Sequence, residues 1–169
     1  MDAACRDFVE RSIANLSTRP KYILEIGSRN INGGLRDLFP EAIYVGIDLL
    51  GGTGVDIVAD GATYQPKMRP DLVLCCNVFE HAPKWREVIM NFQNILSQNG
   101  GTFIITAATD PWPAHSAYDG AELRENEYYQ NVPMNELIIA LQGWLIRLVK
   151  KDDVGHLFAV ALVESNYAS

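Results

Sequence analysis

The stretch YILEIGS, residues 22–28, is a short apolar run that carries one acid and stops at a glycine. A continuous apolar run of this length is typical of a strand that is buried on both faces of a parallel sheet. Its acid, Glu25, is unusual, because burial of an unpaired carboxylate is costly. The stretch therefore predicts a buried first strand with a polar residue near its carboxyl end.

Similar apolar runs come later in the chain and alternate with predicted helices. This alternation of strands and helices favours a parallel sheet with helices on both faces. Helical spacing or helix-ending residues predict helices over 2–17, 35–39, 85–96 and 133–142. Further strands are predicted over 43–48, 55–59, 72–77, 102–107, 144–149 and 156–163. No helix separates the last two strands, which predicts an antiparallel pair. The fold class is therefore α/β: a three-layer, Rossmann-like doubly wound sheet, mostly parallel with an antiparallel last strand.

Length and charge limit the function classes. The chain has 169 residues, which predicts one domain over 1–169. Lys and Arg total 14 and Asp and Glu total 21, so the net charge is 14 − 21 = −7. Phosphate contacts need clustered cations, so we expect no nucleic-acid partner.

The three cysteines and the chain start predict a reduced compartment. Cys5, Cys75 and Cys76 cannot all pair internally, and no Cys-x-x-Cys or spaced histidine accompanies them, so neither a disulfide framework nor a metal site is predicted. The first ten residues carry acids where a signal peptide is basic and apolar. No apolar run of about 18 residues is present, so we expect no membrane partner and a cytoplasmic location.

Polar residues stand where four successive strands stop. Glu25 lies near the end of the first predicted strand, Asp48 ends the second, Asp60 follows the third and Asn77 ends the fourth. In doubly wound sheets, ligands bind beyond the carboxyl ends of the strands. One such residue is a common turn former, but four at the same sheet edge indicate a polar ligand with several donors and a positive charge.

Five motifs in this order resemble those of the class I S-adenosylmethionine-dependent methyltransferases, over roughly residues 20 to 108. The first is YILEIGS (22–28), the second YVGID (44–48) and the third VDIVADG (55–61). The fourth, DLVLCCNVFEH (71–81), has the Glu-His pair that is common in small-molecule methyltransferases. The fifth, NGGTFIIT (99–106), is similar to the Gly-Gly turn and strand that follow in that family.

The resemblance implies S-adenosylmethionine as cofactor, with S-adenosylhomocysteine as product. Glu25 would anchor its ammonium group, Asp48 its ribose hydroxyls and Asp60 its adenine amine, while Asn77 would lie near the sulfonium. Glycine at position 27 would let the backbone approach the methionine part. The complete set of cofactor-binding residues implied in this way is Glu25, Gly27, Ser28, Asp48, Leu49, Asp60, Gly61 and Asn77.

The loop after the first strand departs from the family pattern. The usual motif repeats glycine at alternate positions, but Arg29 and Ile31 occupy the next two positions here, and the glycines come later, as Gly33 and Gly34. We expect a longer loop with a different shape. Arg29 either reaches the cofactor carboxylate or lies in solvent.

Two histidines are the candidate catalytic residues. His81 follows the fourth strand and is either a base or a residue that packs against the cofactor. His115 lies in the irregular segment 108–132, on either the substrate side or a surface loop. Long irregular segments in compact domains are often functional, so we assign residues 108–132 to the substrate. The helix over 2–17 is a candidate lid, and His156 is expected to be structural.

These features predict methyl transfer to a small-molecule acceptor, by in-line attack on the sulfonium methyl. The Asn/Asp-Pro-Pro-aromatic motif of base and glutamine methylation is absent, because residues 77–80 read NVFE. Two alternatives stay open. One is a non-catalytic, cofactor-binding or interaction module of the same fold. The other is a nicotinamide-dependent oxidoreductase, which is disfavoured because residues 27–32 read GSRNIN rather than Gly-x-Gly-x-x-Gly.

Overall fold

A computed structural model describes residues 2–98 and 100–163. Its seven strands are β1 (Tyr22–Ile26), β2 (Ile43–Asp48), β3 (Ile57–Val58), β4 (Leu72–Cys76), β5 (Gly101–Ala108), β6 (Leu145–Lys151) and β7 (His156–Val163). Its helices are α1 (Ala3–Ala14), α2 (Trp85–Leu96) and α3 (Met134–Ala140), with 3₁₀ turns at Arg36–Leu38 and Phe79–His81. The ends of the predicted domain over 1–169 lie outside the described residues, so that extent stays a prediction.

All seven strands form one sheet in the order β3-β2-β1-β4-β5-β7-β6. The pairs among β1 to β5 are parallel, and β7 runs antiparallel to both β5 and β6. The predicted fold class is therefore confirmed. The strand order reverses between β1 and β4, so the carboxyl ends of these two central strands flank the position where such sheets bind ligands.

Helices cover both faces of the sheet. On one face, α1 packs through Cys5, Phe8 and Val9 against residues of β1, β4, β5 and β7. On the other face, α2 and α3 bury their apolar sides in a larger core. Every residue of β1 and β4 is buried, as their continuous apolar sequences predict. The acid of β1 is therefore fixed inside the protein.

Two elements on the β2 side of the sheet are shorter than predicted. The expected strand over 55–59 pairs only at Ile57–Val58, where both residues are exposed at the sheet edge. The Asp56 side chain beside it accepts hydrogen bonds from the Gly46 N–H at 2.7 Å and from Arg36 at 2.5 Å. The expected helix over 35–39 is a single 3₁₀ turn, since Pro40 leaves no room for a full α-helical turn.

The other predicted helices and strands form within a few residues of their expected bounds. Asp2 caps α1 by accepting a hydrogen bond from the Cys5 N–H at 2.9 Å, and Pro133 precedes α3. Residues 109–132 contain neither helix nor strand, as predicted. Gly100, past the end of α2, has a φ of 79°, whereas Asn99 of the same motif lies outside the described residues.

The longest helices of the described chain have 12 residues, whereas a bilayer span needs about 20. Within residues 2–98 and 100–163, no helix has the length and apolar character of a membrane span. The cytoplasmic location stays a prediction.

Candidate functional site

A cleft of about 840 Å³ opens at the carboxyl ends of β1, β2 and β4, within the usual size range of small-molecule sites. All ten predicted site residues line it: Glu25, Gly27, Ser28, Asp48, Leu49, Asp60, Gly61, Asn77, His81 and His115. The structure therefore brings these residues together, although they are spread over 91 positions of sequence, from 25 to 115. Their individual roles stay predictions.

One side of the cleft, which we call the strand rim, consists of residues 25–28, 48–49 and 60–61. Glu25 is its deepest member, at 7% exposure, opposite Gly46 of β2 and Leu74 of β4. Burial raises the pKa of Glu25 to about 7, although the nearby Tyr44 hydroxyl and Arg36 charge offset part of this effect. A cationic group bound in the cleft would favour the ionised form of this carboxyl.

The turn after β1 requires a glycine. Gly27 has a φ of 73°, and a Cβ atom at this position would lie 2.1 Å from Cγ2 of Val78. The N–H groups of Gly27 and Ser28 both donate to the Ile47 carbonyl, at 2.8 and 3.1 Å, which holds the turn against β2. The Ser28 hydroxyl is buried and has no hydrogen-bond partner in the described chain.

The two acids at the outer strand ends are held by backbone N–H groups close in sequence. Oδ1 of Asp48 accepts a hydrogen bond from the Leu50 N–H, and Oδ1 of Asp60 accepts one from the Ala62 N–H, both at 2.9 Å. Each carboxylate is half-buried and retains acceptor capacity on the cleft side. Leu49, which is 65% exposed, presents an apolar side chain between them.

The altered glycine loop is held by its arginine. The Arg29 N–H donates to Oδ2 of Asp48 at 3.3 Å, and its guanidinium donates to the Ala117 carbonyl at 3.1 Å. The guanidinium also lies 5.1 Å from the ring centre of Tyr118. Arg29 lines the cleft and joins this loop to the irregular segment, so the expectation that it lies in solvent is wrong.

Asn77 ties the start of the chain to the strand ends. Its Oδ1 accepts hydrogen bonds from the Thr106 hydroxyl at 2.8 Å and from the Cys5 thiol at 3.2 Å, and its Nδ2 donates to Oδ2 of Asp2 at 3.1 Å. Because α1 packs on the face of the sheet, Asp2 at its N-cap is the one residue among 2–17 that lines the cleft. Asp2 is therefore the part of the helix that could act as a lid, and the lid role of residues 2–17 stays a prediction.

The opposite side of the cleft, which we call the assembled rim, consists of Asp2, His81 and residues 112–118 and 126–128. Nε2 of His81 lies 3.3 Å from Nε2 of His115, and Nδ1 of His115 lies 3.1 Å from the Pro113 carbonyl. A carbonyl oxygen only accepts, so His115 Nδ1 carries the proton. Burial first, and the neighbouring His115 second, lower the pKa of His81 to about 4. His81 is therefore neutral near pH 7.

Solved structures with this architecture are similar to the chain. The 1,6-didemethyltoxoflavin-N1-methyltransferase of Burkholderia thailandensis, solved with S-adenosylhomocysteine, matches with a TM-score of 0.71 at 14% identity, over 96% of this chain and 79% of that chain. An S-adenosylmethionine-dependent methyltransferase of Clostridium acetobutylicum matches with a TM-score of 0.70 at 12% identity, over 98% and 93%. The N-methyltransferase NodS of Bradyrhizobium japonicum matches at 0.62 and 16%, over 97% and 99%.

The chain has the class I methyltransferase fold. The resemblance inferred from the five motifs is thus confirmed at the level of the fold. No protein-family model matches the chain, and no curated protein matches it. Because the identities are between 12% and 16%, these structures leave the acceptor and the activity of this chain to be inferred from its own cleft.

Sequence reasoning missed two residues of this region. Asp2 reaches the cleft because α1 begins beside Asn77, and its sequence signal is that of a helix cap alone. Glu80 belongs to the fourth motif, which does not by itself indicate a role for it. Its side chain is only 1% exposed, and its Oε2 atom has no hydrogen-bond partner in the described residues. Burial raises the pKa of Glu80 to about 7, while backbone N–H groups of Glu80 and Ala108 lower it in part.

Proposed function

We propose that the chain is an S-adenosylmethionine-dependent methyltransferase that transfers a methyl group to a small-molecule acceptor. The observation that carries this proposal is the convergence of Glu25, Asp48, Asp60 and Asn77 on one cleft, at the carboxyl ends of the strands of a class I methyltransferase sheet. When bound, the cofactor supplies a methyl group on a cationic sulfur, which an acceptor attacks in line.

The donor and acceptor groups of the strand rim suit this cofactor. Glu25 is a buried carboxyl that a ligand ammonium would favour in its ionised form, and the buried Ser28 hydroxyl has no partner in the described chain. We assign both to the methionine part, together with the tight turn at Gly27. A charged hydrogen bond of this kind contributes roughly 1.5–3 kcal/mol.

The outer half of the strand rim suits a nucleoside. Asp48 is the acceptor that we assign to the ribose hydroxyls, and Asp60 the acceptor for the adenine amine. The exposed Leu49 side chain between them offers an apolar surface for the base, and Gly61 keeps the backbone open beside Asp60. Gly61 also has a packing reason, because a Cβ there would lie 2.9 Å from Cγ2 of Ile26.

The assembled rim is assigned to the acceptor. His81 and His115 line the cleft across from the carboxylates, so they are the candidate catalytic residues. A neutral imidazole can take up a proton that leaves the acceptor. Of the similar structures, one is a 1,6-didemethyltoxoflavin-N1-methyltransferase and another is an N-methyltransferase, which supports a small-molecule acceptor.

Calorimetric titration with S-adenosylhomocysteine tests the proposal. The parent chain is expected to bind it, and Asp48→Ala is expected to weaken binding by roughly 1.5–3 kcal/mol, the scale for a hydrogen bond with a charged group. Glu41→Ala is the matched control, since Glu41 precedes β2 at the opposite end of the sheet and pairs with Arg19 at 3.4 Å. Heat with NADH and none with S-adenosylhomocysteine would favour an oxidoreductase instead. Binding unchanged in Asp48→Ala would overturn the ribose assignment.

A further inference from the structure

Two side chains of the assembled rim, and a third that is buried beside it, place metal-binding atoms close together. Glu80 and His81 come from the 3₁₀ turn after β4, and His115 comes from the irregular segment. One carboxylate oxygen and one ring nitrogen from each histidine lie within 4.8 Å of one another.

The spacing of the two histidines is that of ligands to one metal ion. Their Nε2 atoms are 3.3 Å apart. Two nitrogens bound tetrahedrally at about 2.0–2.1 Å from an ion lie about 3.4 Å apart. His115 donates its Nδ1–H toward the Pro113 carbonyl at 3.1 Å, so its Nε2 lone pair faces His81. In metal sites, the ring nitrogen of histidine that does not bind the metal commonly donates a hydrogen bond to a backbone carbonyl, which fixes the orientation of the ring.

One oxygen of the buried Glu80 carboxyl has no partner in the described residues. Its side chain is 1% exposed, and Oε2 accepts no hydrogen bond from the described residues. None of the ion pairs formed within residues 2–98 and 100–163 includes Glu80. Backbone N–H groups of Glu80 and Ala108 offset part of the cost of burying this acid, and a cation in contact with Oε2 would offset more of it.

We propose that Glu80, His81 and His115 bind a divalent transition-metal ion at the assembled rim of the cleft. Two imidazoles and one carboxylate suit zinc, cobalt or ferrous iron better than magnesium or calcium, which prefer oxygen ligands. Cysteine spacing predicted no metal site, whereas Glu80 and His81 meet His115, which lies 34 positions after His81, only in the fold.

The ion would act on the acceptor, a role that rests on the proposed methyltransferase function. Three protein ligands leave a coordination position for an oxygen of the acceptor, since His81 and His115 both line the cleft. Metal coordination lowers the pKa of a bound hydroxyl, so the acceptor would release its proton to water in the open cleft, because both Nε2 atoms would be bound to the ion. Its oxygen would then form a bond to the methyl carbon while the carbon–sulfur bond breaks, and the electron pair would pass to sulfur to give S-adenosylhomocysteine. The acceptor class is therefore a hydroxylated small molecule that binds the metal through oxygen.

The test is calorimetric titration of Zn²⁺ into the chain without a histidine tag, after treatment with a chelator. The parent is expected to bind one Zn²⁺ per chain. Glu80→Gln and His115→Ala are expected to weaken binding by more than about 100-fold, beyond the roughly 10–100-fold that the loss of an outer partner costs. Co²⁺ in place of Zn²⁺ is expected to give a ligand-field absorption spectrum that both variants lose.

His156→Gln is the matched control, because His156 bonds Asp152 at 2.7 Å outside the proposed ligand set. It is expected to keep parental Zn²⁺ affinity, and thermal melts identify any variant that fails to fold. No Zn²⁺ binding by the folded parent, or equal affinity in the parent and in folded His115→Ala, would overturn the metal site. Titration of the chelator-treated chain with S-adenosylhomocysteine separates the two proposals, since its failure there would overturn only the methyltransferase function.

Discussion

The two rims of the cleft are held by contacts of very different range. On the strand rim, Asp48 and Asp60 each accept a hydrogen bond from an N–H two residues further along the chain. On the assembled rim, the bond from Asn77 to Asp2 spans 75 positions, and the contact of His81 with His115 spans 34. The strand rim is therefore encoded in short motifs, whereas the assembled rim exists only once the chain has folded.

The largest effect that we expect lies in the turn beneath the strand rim. Gly27→Ala would place a Cβ atom 2.1 Å from Val78 in a backbone with a φ of 73°. Left-handed strain costs about 1–3 kcal/mol and overpacking about 1–3 kcal/mol more, so the free energy of unfolding is expected to fall by about 2–6 kcal/mol. Urea denaturation measures this change.

Gly33→Ala is the control for this substitution. Its φ is 114°, but nothing lies within 4 Å of an added Cβ, so only the strain of about 1–3 kcal/mol applies. The difference between the two variants isolates the contact with Val78. Equal losses would mean that the turn is fixed by backbone conformation alone, and that the strand rim depends less on packing than the structure indicates.

Glu25 makes the stability of the cofactor-free chain depend on pH. Its pKa is raised from 4.5 to about 7 in the folded state, so between these values the unfolded chain loses a proton that the folded chain keeps. Stability is therefore full below about pH 4.5, falls as the pH rises and levels off above about pH 7. At 1.36 kcal/mol per pKa unit, the loss is on the order of 3 kcal/mol.

Glu25→Gln is expected to flatten this decline, as measured by urea denaturation over the same pH range. The variant should retain a smaller decline, because the pKa of Glu80 is also raised to about 7. A parental decline in the variant would show that Glu25 is ionised in the folded protein already. The strand rim would then hold its charge without a ligand.

Most of the strand rim was predictable because each part of it leaves a local signal. The continuous apolar run of β1 predicts burial on both faces, and Gly27 predicts the turn that follows. Asp48 and Asp60 stand at strand ends, where a short motif fixes their position. The errors on this side concern two short elements. The strand expected over 55–59 pairs over two residues only, and the helix expected over 35–39 forms a single 3₁₀ turn.

The assembled rim was predictable only in part. His115 could be assigned to the irregular segment, but its contact with His81 depends on how residues 109–132 fold back, which no local pattern encodes. Glu127 arranges that segment by accepting hydrogen bonds from the Ser116 hydroxyl and from the N–H groups of Ala117 and Arg124. Such side-chain contacts follow no periodic pattern along the chain, so the sequence alone does not predict them.

The smallest effect concerns the long-range contact of the assembled rim with α1. Asp2→Ala removes the cap on the Cys5 N–H and the bond from Asn77, so the free energy of unfolding is expected to fall by about 0.5–2 kcal/mol. Asp7→Ala, which removes only an exposed ion pair with Arg11 on the same helix, is expected to cost about 0–1 kcal/mol. Because Cys5 is fully buried, Asp2→Ala should also speed its labelling by a thiol reagent, located by mass spectrometry. Equal labelling rates in the two variants would mean that apolar packing, and not Asp2, holds the start of α1 against the cleft.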